Sequence, residues 1–412
     1  MPDRVDASPS PPDARPVEQV VIGGGIAGCS IAFELAARGH RVLLLERDAI
    51  AAAASGHNTG TLLSQGEPEV MQLLRESVRI YQELEPGPCA FHLHQRPQLL
   101  LARDAMQLAA ARQRAEQIAH RGGAVQAVDG DELRRLYPSL REGLAGGYVV
   151  SEAWTLDPLA ATASFAHAAR QAGAMIRPHT RVIQLAVRSG RIDGVLTEDG
   201  PVPADAVVLA TGPWMNELLR DVELAGEWLR LPMGAGRGWL LGISQLPVAV
   251  PWIIEEISWP DQEVLGTVTR LRTLAEVAAG IQEQPAVEAF VLAPVINGGA
   301  LLGASLAPAL RGVLEGSETP QRLARRALDL APGLGQVEVA DAWYGFRPMM
   351  ADGLPVAGET PIAGLYVHGG HGSLGMQAAP ATARWLADRM TGRGQAAERP
   401  WLDPMRFVAH AG

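Results

Sequence analysis

Cysteine is scarce in this chain of 412 residues, and the two that occur, Cys29 and Cys89, lie in unrelated segments. A disulfide framework or a cysteine-rich metal site is therefore not expected, and the scarcity fits the reducing cytoplasm. His368 and His371 lack a third ligand at a suitable spacing, so no metal site is predicted.

Long apolar runs and an excess of basic charge are also missing. No stretch of eighteen or more uninterrupted apolar residues occurs, so no transmembrane segment is predicted. The net charge of −10 does not suit a phosphate backbone, which argues against nucleic acid as a partner. Residues 1–16 lack the apolar region of a secretory signal and contain five prolines, so they are predicted to form a disordered tail.

The length and composition favour two packed domains. Hydrophobic residues make up 47% of the chain, which supplies enough apolar surface for packed cores, and chains of this size usually divide. Helical patterns are predicted over 69–85, 104–121, 130–137, 157–173 with Asp157 as N-cap, and 376–390, and a strand over 91–101. The irregular, strand-rich region 220–335 is interpreted as part of a second domain.

The most informative segment begins with VEQVVIGGG, continues with IAGCSIAFELAARGH and ends with RVLLLER. It predicts a β–α–β unit with parallel strands. Gly23, Gly25 and Gly28 form the pattern G-x-G-x-x-G between the first strand and the helix, and Glu46 ends the second strand. Such glycines let a pyrophosphate approach the helix N-terminus, and the acid can bind ribose hydroxyls. The pattern predicts a dinucleotide site without separating FAD from NAD.

Five motifs together resemble one family of flavoenzymes. They are VVIGGGIAGCSIAFELAARGHRVLLLER, ASGHNTG, DAVVLATGPWMNELL, YGFRPMMADGLPVAG and LYVHGGHGSLGMQAAPATARWLADRM. The chain resembles the D-amino-acid-oxidase type of FAD-dependent oxidoreductase, which includes glycine oxidase, sarcosine oxidase with its β-subunits, and dimethylglycine dehydrogenase. NAD-dependent Rossmann enzymes have no counterpart of the last two motifs, so the resemblance favours FAD.

The resemblance implies an α/β fold. A Rossmann-like FAD-binding domain of the glutathione-reductase type would be assembled from the discontinuous segments 17–88, 145–219 and 336–395. An inserted α+β substrate domain with an antiparallel sheet would comprise 89–144 and 220–335, and 396–412 would form a C-terminal tail.

The resemblance also implies which residues contact the flavin nucleotide. The predicted cofactor-binding residues are Gly23, Gly25, Ile26, Ala27, Gly28, Glu46, Arg47, Ser55, His57, Asn58, Thr59, Gly60, Val182, Thr211, Gly212, Gly370, His371, Gly372, Ser373, Leu374, Gly375 and Met376. Val182 would meet the adenine through its backbone, and the helix after Gly375 would direct its N-terminus at the flavin pyrimidine edge.

Arg347, in the G-x-R-P motif, is predicted to bind the substrate carboxylate, because its guanidinium matches a carboxylate with two parallel hydrogen bonds. The alternative is a structural ion pair, with Asp352 as the partner. Trp343 or Tyr344 is predicted to line the substrate cavity, and Tyr344 is taken as the pocket residue. Relatives have the pattern P-x-R-G near the start of the substrate domain. In this chain four residues separate Pro232 from Arg237, so a role for Arg237 near the flavin is doubtful.

His57 occupies a position similar to that of a histidine that bonds covalently to flavin in dimethylglycine dehydrogenase. The surrounding GHNTG matches only loosely, so non-covalent FAD is the favoured prediction and a covalent bond through His57 the alternative.

The predicted function is oxidation of an amine or amino acid by hydride transfer from the α-carbon to flavin N5, giving an imine that hydrolyses. Three alternatives stay open. The chain could be a β-type subunit of a heteromeric dehydrogenase, an oxidase of 2-hydroxy acids, or a flavin-binding module without catalysis. The expected partners are a small-molecule amine or amino acid and either heteromeric subunits or further copies of this chain.

Overall fold

The computed structural model describes residues 17–64, 68–84, 90–224, 227–257, 287–308, 318–393 and 398–407. The N-terminal segment 1–16 and Cys89 lie outside the described residues, as does part of the predicted C-terminal tail.

Strands and helices alternate along the first half of the chain, and strands dominate the second half. In chain order the strands are β1 (Val17–Ile22), β2 (Val42–Leu45), β3 (Thr61–Leu63), β4 (His94–Gln95), β5 (Gln98–Ala102), β6 (Val125–Asp129), β7 (Gly146–Val150), β8 (Ala153–Thr155), β9 (Met175–Arg177), β10 (Val182–Arg188), β11 (Arg191–Thr197), β12 (Gly200–Leu209), β13 (Glu223–Leu224), β14 (Glu227–Trp228), β15 (Met233–Ile243), β16 (Ile253–Glu256), β17 (Val287–Pro294), β18 (Ala300–Pro308), β19 (Val339–Met350), β20 (Val356–Glu359) and β21 (Leu365–Gly369). The helices are α1 (Ile26–Ala37), α2 (Pro68–Leu84), α3 (Ala105–His120), α4 (Gly130–Leu136), α5 (Pro158–Gln171), α6 (Met215–Leu219), α7 (Thr319–Leu330) and α8 (Gly375–Thr391).

The predicted helices are confirmed, with ends that differ by at most two residues. Asp157 caps α5, as expected, by accepting a hydrogen bond from the backbone N–H of Ala160. The single strand predicted over 91–101 was wrong. Two strands, β4 and β5, occupy this stretch and belong to different sheets. Pro97 lies between them, and because proline has no backbone N–H it cannot continue a strand ladder.

The first large sheet has the order β10-β11-β12-β1-β2-β9, with β21 beside β12 and β20 beside β21. Strand β1 pairs in parallel with both β2 and β12, which confirms the predicted β–α–β unit. Helix α1 packs against both α5 and α8 over this sheet. Helix α1 is buried along most of its length, so it has little polar surface.

The second large sheet has the order β19-β15-β18-β17-β16-β5-β7-β6. All neighbours are antiparallel except β16 and β5. Helix α7 and the segment around α4 cover one face through a cluster of buried aliphatic and aromatic side chains. This arrangement confirms the predicted α/β class with a second, largely antiparallel sheet.

The predicted segment boundaries do not coincide with the limits of the two sheets. Strands β7 and β19 were both placed in the FAD-binding segments, yet both are strands of the second sheet. The second sheet therefore extends to Val150 in one of these segments and to Met350 in the other. Strand β19 pairs with the distant β15, and β7 lies between β5 and β6, so this membership depends on strand pairings that the sequence pattern did not indicate.

The described part of the C-terminal tail, 398–407, is packed against the body of the protein. It forms two short 3-10 helices, Pro400–Leu402 and Pro404–Phe407, and Leu402 is completely buried. Arg399 pairs with Glu76 of α2.

Gly28 holds α1 against β1, and we predict that Gly28→Ala strongly destabilises the protein. A Cβ at this position would overlap the carbonyl oxygen of Gly23. We expect the free energy of unfolding to fall by on the order of 3 kcal/mol or more, measured by urea denaturation. Gly335→Ala is the control, because Gly335 has an ordinary φ of −60°. Equal stability of the two variants would contradict the predicted contact.

Candidate active site

One cavity of about 850 Å³ lies between the two large sheets, near the upper end of the range for ligand sites. Its inner wall includes residues at the carboxyl ends of parallel strands, where open α/β sheets bind ligands. These residues are Ile22, Gly23, Leu45, Glu46, Ala210, Thr211 and Gly369.

Glu46 lies beside the glycine turn, as the spacing predicts. One carboxylate oxygen accepts a hydrogen bond from the backbone N–H of Gly24 at 2.5 Å, and the other accepts from Asp48 at 2.7 Å. Each carboxylate oxygen has two lone pairs, so both can accept a further donor. The side chain is half-buried at the cavity wall. Ribose hydroxyls are suitable donors for this position.

The loop after β2 is held by its own side chains. The Ser55 hydroxyl accepts a hydrogen bond from the backbone N–H of Ile26 in α1 at 2.9 Å. The Asn58 amide donates to the carbonyl oxygens of Ala54 and Ser55, and its Oδ1 accepts from the N–H of Gly60. The loop therefore keeps a fixed shape along the cavity.

His57 faces the second sheet, near Gly345 of β19. Its Nδ1 lies 2.8 Å from the carbonyl oxygen of Ala53. A carbonyl oxygen only accepts, so Nδ1 carries a proton, and in the neutral ring Nε2 keeps its lone pair.

Two buried histidines and Thr382 form a hydrogen-bonded chain beside the loop 370–374, the C-terminal loop, which joins β21 to α8. His368 Nδ1 lies 3.1 Å from the carbonyl oxygen of Ala27, and its Nε2 lies 2.8 Å from the Thr382 hydroxyl. Burial lowers the pKa of His368 to about 4, so the ring is neutral at pH 7. Its one proton is on Nδ1, because the Ala27 carbonyl can only accept. Nε2 therefore accepts the hydroxyl proton of Thr382.

The same hydroxyl fixes the tautomer of His371. Its Nε2 lies 3.0 Å from Thr382 Oγ1, whose proton is directed to His368. Burial lowers the pKa of His371 well below its ordinary value, so this ring is also neutral and donates through Nε2. Donation by Thr382 to Ala378, whose carbonyl oxygen is 3.0 Å away, would leave Nε2 of His368 without a donor. His371 lines the cavity, and its Nδ1 is left as a hydrogen-bond acceptor.

Arg347 reaches across the second sheet. Its Nη1 donates to the carbonyl oxygen of Ser305 in β18 at 3.0 Å, and the guanidinium passes over Gly238 of β15, where any Cβ would overlap it. Burial lowers the pKa of Arg347 to about 10, so it is still a cation at pH 7. The predicted alternative, an ion pair with Asp352, is not the arrangement in the structure. Asp352 pairs instead with Arg406 at 2.8 Å.

Aromatic rings line the wall beside Arg347. Tyr344 lies 4.9 Å from Trp239 and 5.6 Å from Phe346, and Phe346 lies 6.3 Å from Trp214, measured between ring centroids. Tyr344, Phe346 and Trp214 line the cavity, as predicted for Tyr344. Trp343 instead packs with Leu240 and its apolar neighbours.

Most of the residues predicted for the cofactor converge on this cavity. They are Gly23, Gly25, Ile26, Ala27, Glu46, Arg47, Ser55, His57, Asn58, Thr59, Val182, Thr211, Gly212, His371, Gly372, Ser373, Gly375 and Met376. The remaining predicted residues, Gly28, Gly60, Gly370 and Leu374, lie behind the wall. Gly28 packs against Gly23, and Gly60 against Leu156, so these glycines shape the site without reaching its surface.

Several cavity residues were not found from the sequence. They are Gly238, Leu240, Glu255, Val291 and Ala304, all from the second sheet. The two adjacent acids in the apolar stretch WIIEEI were the one available signal. The remaining four residues are ordinary strand residues whose exposure to a cavity depends on which strands are neighbours.

The cavity has features that a flavin dinucleotide requires. Helix α1 begins at the wall with Gly25 as its N-cap, and Ser55 accepts from its first N–H, that of Ile26. The next N–H groups of the first turn have no acceptor within the helix, so they can face a pyrophosphate. Among the described residues, the buried Thr211 Oγ1 has no hydrogen-bond partner, which fits a polar group awaiting a ligand. The residues present therefore fit FAD.

Comparison with known proteins defines the class. The profile of the FAD-dependent oxidoreductase (DAO) family matches residues 19–389, and the chain belongs to that family. It is 28% identical to D-amino acid dehydrogenase of Cereibacter sphaeroides over 95% of each chain. It is also 28% identical to glycine oxidase of Geobacillus kaustophilus, over 95% of this chain and 97% of that one. A crystal structure of glycine oxidase from Geobacillus kaustophilus has the same fold, with a TM-score of 0.79 at 24% identity over 94% and 98% of the two chains.

The described residues show neither a membrane-spanning helix nor a metal site. They contain no helix long and apolar enough to cross a bilayer. In the same ranges, no group of three or more histidine, cysteine, aspartate or glutamate side chains is arranged to hold a metal ion.

Thr382→Val should destabilise the protein by on the order of 3 kcal/mol, because both histidines lose a buried hydrogen-bond partner. Thr382→Ser keeps the hydroxyl and should stay within about 1 kcal/mol of the parent. Urea denaturation at pH 7 measures both variants. If valine and serine gave the same stability, the hydrogen-bonded chain through Thr382 would be wrong.

Proposed function

We propose that this flavoenzyme oxidises the carbon–nitrogen bond of an α-amino acid. The observation that carries the proposal is the partly buried guanidinium of Arg347 in the same cavity as the glycine turn. A cation held away from water at a ligand site is a strong recognition group for a carboxylate. The relatives named D-amino acid dehydrogenase and glycine oxidase support the same substrate class.

Arg347 would bind and orient the substrate. Its pKa of about 10 keeps it charged at neutral pH, so the substrate carboxylate meets a permanent cation. A guanidinium carries five N–H donors, of which the Ser305 carbonyl accepts one. Anchoring by Ser305 fixes the direction of the side chain, so the α-carbon would be held in one position.

The cofactor would be held mainly by the first sheet and the loops that follow it. The N-terminus of α1 would face the pyrophosphate, Glu46 the ribose and Val182 the adenine. The N-terminal turn of α8, with Gly372 and Ser373 before it, would lie at the flavin pyrimidine edge and favour negative charge there. Bound FAD supplies a two-electron acceptor that takes a hydride from the carbon bearing the nitrogen.

The remaining protein groups would exclude water and fix geometry rather than move protons. If the amine binds in its neutral form, its lone pair replaces a general base. The oxidised substrate is then an imine, which water hydrolyses to a carbonyl compound and an amine. The scarcity of cysteine supports a cytoplasmic location for this reaction.

Arg347→Ala should raise KM for the preferred α-amino acid by roughly 100-fold, since two charge-assisted hydrogen bonds are lost. FAD should stay bound. The measurement is anaerobic bleaching of the flavin with a panel of D- and L-amino acids, N-methyl amino acids and amines, each paired with its 2-hydroxy acid where one exists.

Arg406→Ala is the matched control, because Arg406 pairs with Asp352 outside the cavity. An unchanged KM in Arg347→Ala would remove Arg347 from this role. If only the 2-hydroxy acids bleach the flavin, the proposed amine oxidation is wrong and the protein oxidises hydroxy acids. Bleaching without steady-state turnover of the isolated chain would favour a β-type subunit.

FAD should be bound without a covalent bond. After acid precipitation of the purified protein, the yellow colour should remain in the supernatant, and His57→Ala should bind FAD in the same ratio as the parent. A yellow pellet from the parent and a colourless pellet from His57→Ala would establish attachment through His57.

A further inference from the structure

Two adjacent glutamates of β16, Glu255 and Glu256, are almost completely buried. Successive strand residues point to opposite faces of a sheet. Glu256 pairs with Arg103 at 3.0 Å and with Arg326 on the face covered by α7. Glu255 points the other way and lines the cavity. The proposed reaction uses neither carboxylate, so it does not explain why Glu255 lies at the cavity.

Glu255 is held from one side. Gln98 of β5 donates to one carboxylate oxygen at 2.7 Å, and Arg114 of α3 lies 3.2 Å from the other. A carboxylate has about four lone-pair sites, and among the described residues these two partners occupy about one on each oxygen. The carboxylate thus has a fixed orientation and keeps acceptor capacity at the cavity wall.

Glu255 and Arg347 mark opposite ends of one apolar floor. Glu255 pairs with Val291, and Val291 pairs with Gly303, which precedes Ala304. Val291 and Ala304 both line the cavity. The carbonyl that anchors Arg347 belongs to Ser305 of β18. One strand, β17, separates β18 from β16, so the strands that carry Ser305 and Glu255 are roughly 10 Å apart.

This separation selects which part of a substrate can meet Glu255. With its carboxylate on Arg347, an amino acid keeps its α-nitrogen close to that end of the floor. A side chain with about three or four methylene groups would lie over Val291 and Ala304 and bring its terminal group to Glu255. A terminal hydrogen-bond donor would bond to the Glu255 carboxylate, whereas a terminal acidic group would be repelled by its negative charge.

We propose that Glu255 is a specificity-determining residue and that the substrate is an α-amino acid whose side chain ends in a cationic hydrogen-bond donor, as in lysine, ornithine or arginine. The inference rests on the proposed function, because it takes the carboxylate to be bound by Arg347. The apolar floor accommodates the methylene groups, and Glu255 stabilises the terminal cation. Arg114 moderates this attraction, since it already neutralises part of the charge on Glu255.

The test compares kcat/KM for lysine with kcat/KM for norleucine, which has the same chain without the terminal cation. Both enantiomers are assayed by anaerobic flavin reduction. The holoenzyme should prefer lysine, and Glu255→Gln should lower the lysine-to-norleucine ratio at least tenfold, since one charge-assisted hydrogen bond is lost. Arg114→Met should raise the ratio, because the carboxylate then faces the cavity without its cationic partner.

Glu256→Gln is the matched control, since it makes the same change on the opposite face. It should lower thermal stability and leave the substrate ratio unchanged. A ratio that stays constant in Glu255→Gln overturns the proposal. If that variant does not fold, a constant ratio in Arg114→Met overturns it instead. Flavin reduction by norleucine in the parent shows that the proposed function holds, so a failure of the ratio test then concerns Glu255 alone.

Discussion

The close approach of α1 to β1 at the glycine turn is the contact on which the cofactor half of the structure depends. Gly28 lies against the carbonyl of Gly23 with no space for a side chain. This contact places the N-terminus of α1 at the carboxyl edge of the parallel strands, where Glu46 and Thr211 also lie. Those residues are far apart in sequence, and they share one wall because parallel strands end at the same edge.

The two sheets contribute different chemistry to the cavity. The first sheet supplies backbone N–H groups, small residues and a carboxylate that suit a dinucleotide. The second sheet supplies Arg347 and Glu255 on an otherwise apolar floor. A charged group in apolar surroundings is stable only with partners, which include Ser305 for Arg347 and Gln98 and Arg114 for Glu255. Under the proposed function, substrate recognition would come from a few polar groups held in place by apolar surroundings.

The C-terminal loop shows how a buried network can fix a proton position. His368, Thr382 and His371 form one directed chain of hydrogen bonds, and its direction is set by the Ala27 carbonyl, which can only accept. Burial keeps both rings neutral. His371, which lines the cavity, therefore has an acceptor, and not a donor, on Nδ1. This constraint links α1, where Ala27 lies, to α8, where Thr382 lies.

The sequence by itself determined the β–α–β unit, the helix bounds within two residues, the Asp157 cap and the family, because these follow from local periodicity, capping chemistry and glycine spacing. It also indicated most of the cofactor wall, since the motifs there are contiguous. Only the tertiary structure decided that β7 and β19 join the second sheet, that Asp352 pairs with Arg406, and that Gly238 and Glu255 reach the substrate cavity. Those features depend on which strands become neighbours. Strand order is set by packing between segments, and the sequence pattern of one strand does not identify the strand it pairs with.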